Sequence, residues 1–140
     1  MKISTRGQYA IVVMTDLAKH QGKELVTARN IADRNDISIK YLEQILNTLN
    51  KCGYIHAVRG KNGGYMLKKA PSEYKVGDIL RALEGSLEPI NGLDYELESP
   101  SDSGSIKNIS LWKGLYNVIN SYVDNITLEA LIENEKNFKL

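Results

Sequence analysis

Residues 38–67 read SIKYLEQILNTLNKCGYIHAVRGKNGGYML, and this stretch decides the fold. Leu42, Ile45, Leu46 and Leu49 recur at i, i+3, i+4 and i+7, the stripe of an amphipathic helix. Ser38 stands where a side-chain oxygen would cap that helix, and Gly53 where a left-handed residue would end it. Two short runs follow, Tyr54–Val58 and Tyr65–Lys69, and read as the strands of a hairpin. The linker between them, Arg59-Gly60-Lys61-Asn62-Gly63-Gly64, is a glycine-rich turn with Arg59 and Lys61 at its tip. A helix able to lie in a DNA major groove, followed at once by a basic hairpin, is the layout of a winged helix-turn-helix. The expected fold class is therefore mainly α with a small β-hairpin wing.

Working outward, residues 8–20 set Tyr9, Val13 and Leu17 four apart on one helical face, with Ser4 or Thr5 to cap the start and Gln21-Gly22 to stop it. Leu25-Val26 reads as a short edge strand. Thr27 suits the N-cap of a second helix, 28–35, with Ala28, Ile31 and Ala32 inward, and Asn35-Asp36 makes the next turn. Pro71 marks a boundary. Residues 75–84 form a fourth helix with Val76, Ile79, Leu80 and Leu83 on one face, closed by Gly85. Residues 94–105, DYELESPSDSGS, combine four acidic residues, four serines, a proline and a glycine, and read as a mobile loop. From Ser110 to Asn125 another helix carries Leu111, Leu115, Val118, Ile119 and Tyr122 on one stripe, with Trp112, Tyr116 and Val123 beside it. Thr127 caps a last helix with Glu129 in its first turn, and the tail from Glu135 is expected to fray. The organisation expected is a DNA-binding unit at 1–85, a loop region at 86–109, and a dimerisation helix with a C-terminal helix at 110–140.

Composition narrows the function classes. With 42% apolar and 25% charged residues the chain reads as an ordinary soluble domain. No stretch approaches the roughly 18 apolar residues of a spanning helix, and MKISTRGQYA lacks the pattern of a secretory leader, so a cytoplasmic protein without a membrane partner is expected. Cys52 is the only cysteine, which excludes an internal disulfide and a multi-thiolate metal site. Net charge is +1, yet residues 1–69 hold 12 Lys/Arg against 5 Asp/Glu while residues 70–140 hold 6 against 12. A net of +7 beside a net of −6 suits a half that meets a polyanion joined to a half that does something else.

Once its apolar stripe is turned inward, the third helix leaves Ser38, Lys40, Tyr41, Glu43, Gln44 and Asn47 outward, clustered toward its N-terminal half. In helix-turn-helix docking those are the positions that reach base edges. Gln44 can pair bidentately with adenine and Glu43 can accept from the cytosine amino group. Tyr41 suits a phosphate or a thymine methyl, and Lys40 and Ser38 suit phosphate or guanine. On an isolated helix these would simply be a solvated face. The adjoining wing changes the balance, because Arg59 flanked by Gly60 can enter a narrow minor groove, while Lys61, Lys68 and Lys69 track phosphates.

These residues also resemble a known family. The runs KISTRGQYA (2–10), ISIKYLEQIL (37–46), VRGKNGGYML (58–67), VGDILRALEG (76–85) and LWKGLYNVINSYVDNITLEAL (111–131) are similar to the Rrf2 family of bacterial winged-helix regulators, the group of the IscR, NsrR and CymR types. The resemblance covers nearly the whole chain. It implies a homodimeric regulator in which Tyr41, Glu43 and Gln44 read the major groove of double-stranded DNA, Arg59 enters the minor groove, and the helix from Trp112 to Val123 crosses its partner. The breadth of that helix's apolar arc agrees, since few elements remain to cover both the Leu111–Tyr122 stripe and its flank. The other reading packs this helix on the first and fourth helices of its own chain. A two-fold dimer implies a palindromic operator.

Many relatives hold an iron–sulfur cluster through three cysteines between the fourth helix and the dimer helix. Here residues 86–109 contain neither Cys nor His, and hard Asp, Glu and Ser oxygens replace soft thiolates poorly, so no cofactor is expected. In this the chain looks like the CymR type, whose members respond through a partner enzyme of cysteine synthesis, and a regulatory partner or small effector is expected. Cys52 reads as a small, partly buried apolar residue or, alternatively, as a redox switch next to the wing. An enzyme with Cys52 as nucleophile has only His20 and His56 as imidazole bases and no supporting pattern, so no catalytic residues are assigned. The expected function is a sequence-specific regulator, acting as a repressor. The rival is a winged-helix module whose Lys40, Gln44 and Arg59 surface binds a protein.

Overall fold

The computed structural model describes residues 2–20, 22, 24–100 and 105–134. Three helices come first: α1 (Thr5–His20), α2 (Ala28–Asn35) and α3 (Ile39–Lys51). Strands β1 (Ile55–Val58) and β2 (Gly64–Leu67) pair antiparallel, from Ile55 opposite Leu67 to Val58 opposite Gly64. A 3-10 turn (Pro71–Glu73) leads into α4 (Val76–Glu84), α5 (Leu93–Glu98), α6 (Ile109–Asp124) and α7 (Leu128–Asn134). This is the winged helix-turn-helix that the 38–67 stretch calls for.

Local chemistry sets the helix ends. The Thr27 hydroxyl accepts from the Asn30 amide at 3.1 Å while Asn30 Oδ1 faces the Thr27 amide, a reciprocal cap on α2. Asp36, at φ +52°, closes α2 with its amide on the Ala32 carbonyl and turns the chain into α3. Ser38 Oγ accepts from the Tyr41 amide at 3.3 Å and caps α3. At the other end Gly53 sits at φ +79°, its amide bonded to the Asn50 carbonyl and that of Tyr54 to the Leu49 carbonyl. That pair of bonds is the glycine-dependent helix stop that the sequence places here.

The core lies where these helices meet. Ala10, Val13, Met14 and Leu17 of α1 pack with Ile31, with the α3 stripe Leu42, Ile45, Leu46 and Leu49, and with Ile55, Ile79 and Leu128. Leu128 of α7 is fully buried in this same cluster, so the C-terminal helix returns to the N-terminal half and shares its core. Asp16 is the buried polar member of α1. Arg34 grips it bidentately at 2.7 and 3.0 Å and the Asn35 amide donates at 2.8 Å, fastening α2 to α1. Val26 exchanges both backbone hydrogen bonds with Tyr65, at 3.1 and 2.7 Å, supplying the edge strand expected at Leu25-Val26.

The structure corrects several expectations. Residues 94–98 are not loop: α5 spans Leu93–Glu98, with Leu93 fully buried. The Glu88 carboxylate, just upstream, accepts from the Gly92 and Asp94 amides at 3.0 and 2.8 Å and supplies the cap that Gly92 has no side chain to make. Asp94 in turn accepts from the Tyr116 hydroxyl at 2.6 Å and from Ser86 Oγ, stapling α5 to α6. Burial, joined by the bond to Asp94, raises the Tyr116 phenol above its ordinary range. The strands are one residue shorter at Tyr54 and two shorter at Lys68-Lys69, and α4 begins at Val76. The expected stop at Gln21, the frayed tail from Glu135 and residues 101–104 of the expected loop lie outside the described residues.

Candidate nucleic-acid interface

On α3 the buried stripe fixes which side faces out. Ser38, Lys40, Glu43, Gln44 and Asn47 are all exposed along one side, as their spacing requires. Tyr41 differs: it is half-buried, its ring edge-on to Tyr9 of α1 at 5.6 Å between centroids, so it braces the start of α3 while bordering the outer face. The wing sets Arg59, Gly60 and Lys61 exposed at its tip. The turn is shaped by Gly60 at φ +111°, whose carbonyl accepts from the Gly63 amide at 2.9 Å. At Gly63 a Cβ would lie 2.1 Å from the Val58 carbonyl oxygen, so only glycine lets the wing close so tightly.

Two contributions escaped the sequence reading. An open groove runs between the start of α2, the end of α3 and the wing, lined by Thr27, Arg29, Asn47, Asn50, Arg59 and Lys61. It brings a second arginine and two amides beside the Arg59 tip. From α1, Arg6 donates to Thr48 Oγ1 of α3 at 3.2 Å, adding a cation along the outside of the same helix. Both come from elements distant in sequence, and no spacing pattern signals them. Arg29, Arg59 and Lys61 thus share one groove with Asn47 and Asn50, while Arg6 adds a cation beside Thr48 and Lys40, Glu43 and Gln44 are exposed on α3; the cations suit phosphate oxygens and the amides and carboxylate suit base edges.

A second exposed face lies on α6. Leu111, Leu115, Val118 and Tyr122 are 60%, 41%, 65% and 63% exposed, an apolar stripe turned to solvent. Trp112 beside them is half-buried. Ile119 departs from the expected stripe. With Tyr116 and Val123 it packs on Val76, Leu80 and Leu87 of its own chain, because α4 offers an apolar face directly beneath α6. The broad arc of α6 is thereby divided, one side covered within the chain and one side bare.

Cys52 is exposed at the C-cap of α3. His20 Nδ1 lies 3.0 Å from the Asp16 carbonyl oxygen, and His56 sits across the hairpin from Met66. Among the described residues no group of three or more His, Cys, Asp or Glu is arranged to hold a metal, and no helix is long and apolar enough to cross a membrane.

A model of the Rrf2 family, described as iron-dependent transcriptional regulators, matches residues 3–134. The chain is 35% identical over 131 residues to the HTH-type transcriptional regulator CymR of Bacillus subtilis, covering 94% of this chain and 89% of the relative. The solved structure of CymR (YrzC), the global cysteine regulator of B. subtilis, superposes with a TM-score of 0.77 at 34% identity, covering 95% and 97% of the two chains. That of T. potens IscR gives a TM-score of 0.74 at 35% identity, covering 100% and 92%. The iron in the family description does not fit this chain's donors. The segment 86–109 carries no Cys or His, and the only thiol, Cys52, lies at the far end of α3.

Proposed function

The chain belongs to the Rrf2 family and is a DNA-binding transcriptional regulator of helix-turn-helix type, and on that premise we propose that it acts as a homodimeric, cluster-free repressor in the cytoplasm. Each α3 enters a major groove with Ser38, Lys40, Tyr41, Glu43 and Gln44 toward the bases and backbone. Arg59 of each wing enters the neighbouring minor groove, with Gly60 and Lys61 against the backbone. The dimer forms through the bare stripe Leu111, Leu115, Val118 and Tyr122, with Trp112 at its margin. Two-fold symmetry then requires a palindromic operator, and occupancy of a promoter represses. Without thiolates to hold a cluster, control passes to a regulatory partner protein or a small effector.

The single observation that carries this reading is the groove that joins Asn47 and Asn50, on the exposed side of α3, to Arg59 and Lys61 of the wing. The rival module would use the same surface on a protein. Selection of random duplexes with the purified, metal-free protein separates the two. An enriched palindrome whose affinity falls steeply with salt is the expected result, because phosphate contacts release counterions. Absence of enrichment over the whole salt range overturns the proposal.

A further inference from the structure

Tyr74, which follows the 3-10 turn after the wing, is 2% exposed and belongs to the main core, yet it ends in a hydroxyl. That hydroxyl has a full set of partners. It donates to the Tyr54 carbonyl at 2.6 Å and accepts from the Lys68 and Lys69 amides at 2.9 and 3.2 Å. These three groups stand just beyond the last ladder pair, Ile55 and Leu67, where the two strands of the wing splay apart. One phenol therefore closes the base of the hairpin in place of further strand pairing. A hydroxyl has one proton and two lone pairs, and all three are used. The ring is held too, tilted against Tyr54 at 6.3 Å between centroids with Lys69 Nζ 5.6 Å above its face.

The backbone of the same residue faces the other way. Its carbonyl accepts from the Leu128 amide at 3.0 Å, and Val76 donates to the Ile126 carbonyl at 2.9 Å, so residues 74–76 pair with the connector between α6 and α7. On the second strand, Val26 pins β2 to the body through both backbone hydrogen bonds with Tyr65, and Leu67 is buried in the main core. β1, which runs directly into Arg59, is anchored at its start by the buried Ile55, by the Tyr54 amide on the Leu49 carbonyl and the Tyr54 hydroxyl on the Asp78 carbonyl, and by Tyr74, whose hydroxyl holds both strands of the hairpin at once.

We propose that Tyr74 is the positioning residue of the wing: its hydroxyl fixes the base of the hairpin to the connector that follows α6, and so sets where Arg59 stands relative to the dimer helix. This rests on the reading of Arg59 as a minor-groove contact. A positioning role differs from a merely structural one in what it acts through. A general loss of stability would weaken every DNA contact, whereas displacement of the wing removes only what Arg59 contributes.

The test is a double-mutant cycle in the full chain, with operator affinity as the readout. Tyr74→Phe keeps the ring and removes only the hydroxyl. The expected result is an approximately tenfold weaker operator complex for Tyr74→Phe, an unchanged dimer in sedimentation, and less than a twofold further loss when Tyr74→Phe is added to Arg59→Ala. Equal losses in the two backgrounds, or wild-type affinity for Tyr74→Phe, overturn the proposal. If Arg59→Ala alone binds as wild type, the minor-groove reading fails instead, and the two failures are distinguished. Should Tyr74→Phe not fold, amide exchange of the unsubstituted protein decides. Lys68 and Lys69 must slow on operator binding together with the wing residues, and unchanged exchange there overturns the proposal.

Discussion

Arg81 on α4 holds Asp124, at the last turn of α6, through two parallel hydrogen bonds of 2.8 and 3.0 Å. The same guanidinium reaches Asn120 Oδ1 at 2.8 Å and lies 3.5 Å from Asp78. Its hydrogen bonds hold the Asp124 carboxyl below the usual range against the opposing effect of burial. Both partners are about a third exposed, so solvent screens the pair and Arg81→Ala should cost only on the order of 1 kcal/mol. The sharper consequence is local. In Arg81→Ala, amides near the end of α6 should exchange faster while those of α1 and α3 stay protected, as hydrogen exchange will show.

Gly77 allows that close approach. A Cβ there would fall 2.0 Å from Asp124 Oδ1, 2.9 Å from Arg81 Nη1 and 3.0 Å from Val123 Cγ2. Alanine is favoured over glycine inside a helix by about 1 kcal/mol. Overpacking costs about 1–3 kcal/mol. Gly77→Ala should therefore lower stability by roughly 1 kcal/mol in urea unfolding, the steric cost exceeding the helical gain. A more stable variant would mean that α6 stands off α4.

What the sequence made legible was local. The α3 stripe, the Ser38 cap, the Gly53 stop and the Arg59 turn each depend on neighbours within a few residues, and each stands where the pattern puts it. What it hid depends on contacts between distant residues. Residues 94–98 look like an acidic loop, and it is the burial of Leu93 and the distant Tyr116 hydroxyl on Asp94, added to the Glu88 carboxylate just upstream, that favour a helix there. Periodicity marked α6 as too apolar for one neighbour, but it could not say that Ile119 would turn to α4 while Leu115 and Val118 stayed bare. The exposed polar side of α3 and the basic wing tip were likewise readable from spacing, whereas Arg6 and Arg29 come beside them only through packing.

Acid should unfold this protein through Asp16. Burial alone would raise that carboxyl, but hydrogen bonds from Arg34 and Asn35, with the Arg34 charge, outweigh it and hold the group below its ordinary value. A depressed folded-state value means stability that is fully present above the unfolded value of about 3.9 and is lost as pH falls through the folded one. Stability should thus be level from neutral pH down to about 4 with respect to this group and fall below it. Asp16→Asn should remove that part of the acid limb and cost on the order of 2 kcal/mol at neutral pH, measured by urea unfolding across pH.

Arg59→Ala should weaken operator binding by about 1–3 kcal/mol and flatten the salt dependence by about one counterion. The loss should be largest on operators with a narrow, A·T-rich minor groove opposite the wing, where negative potential is greatest. Gln44→Ala should behave differently, relaxing the preference at one major-groove base pair with little change in salt slope. Fluorescence titrations on paired operators at two salt concentrations separate these patterns. Identical behaviour of the two variants would mean that wing and helix do not divide the work.

Leu115→Asp tests the assembly. Leu115 lies at the centre of the bare α6 stripe, 41% exposed, between Leu111 and Val118. The opposite side of the helix, with Tyr116, Ile119 and Val123, is engaged with α4 and is not touched by the substitution. A carboxylate at position 115 costs little in the isolated chain, where water reaches it, but must be stripped of water to lie in an apolar two-fold contact beside its own copy. The variant should therefore keep its helical content and sediment as a monomer, whereas the unsubstituted protein should sediment as the proposed dimer. Operator binding should fall steeply in parallel, because each half-site is then bound alone. A persistent dimer would place the interface on another face of the molecule.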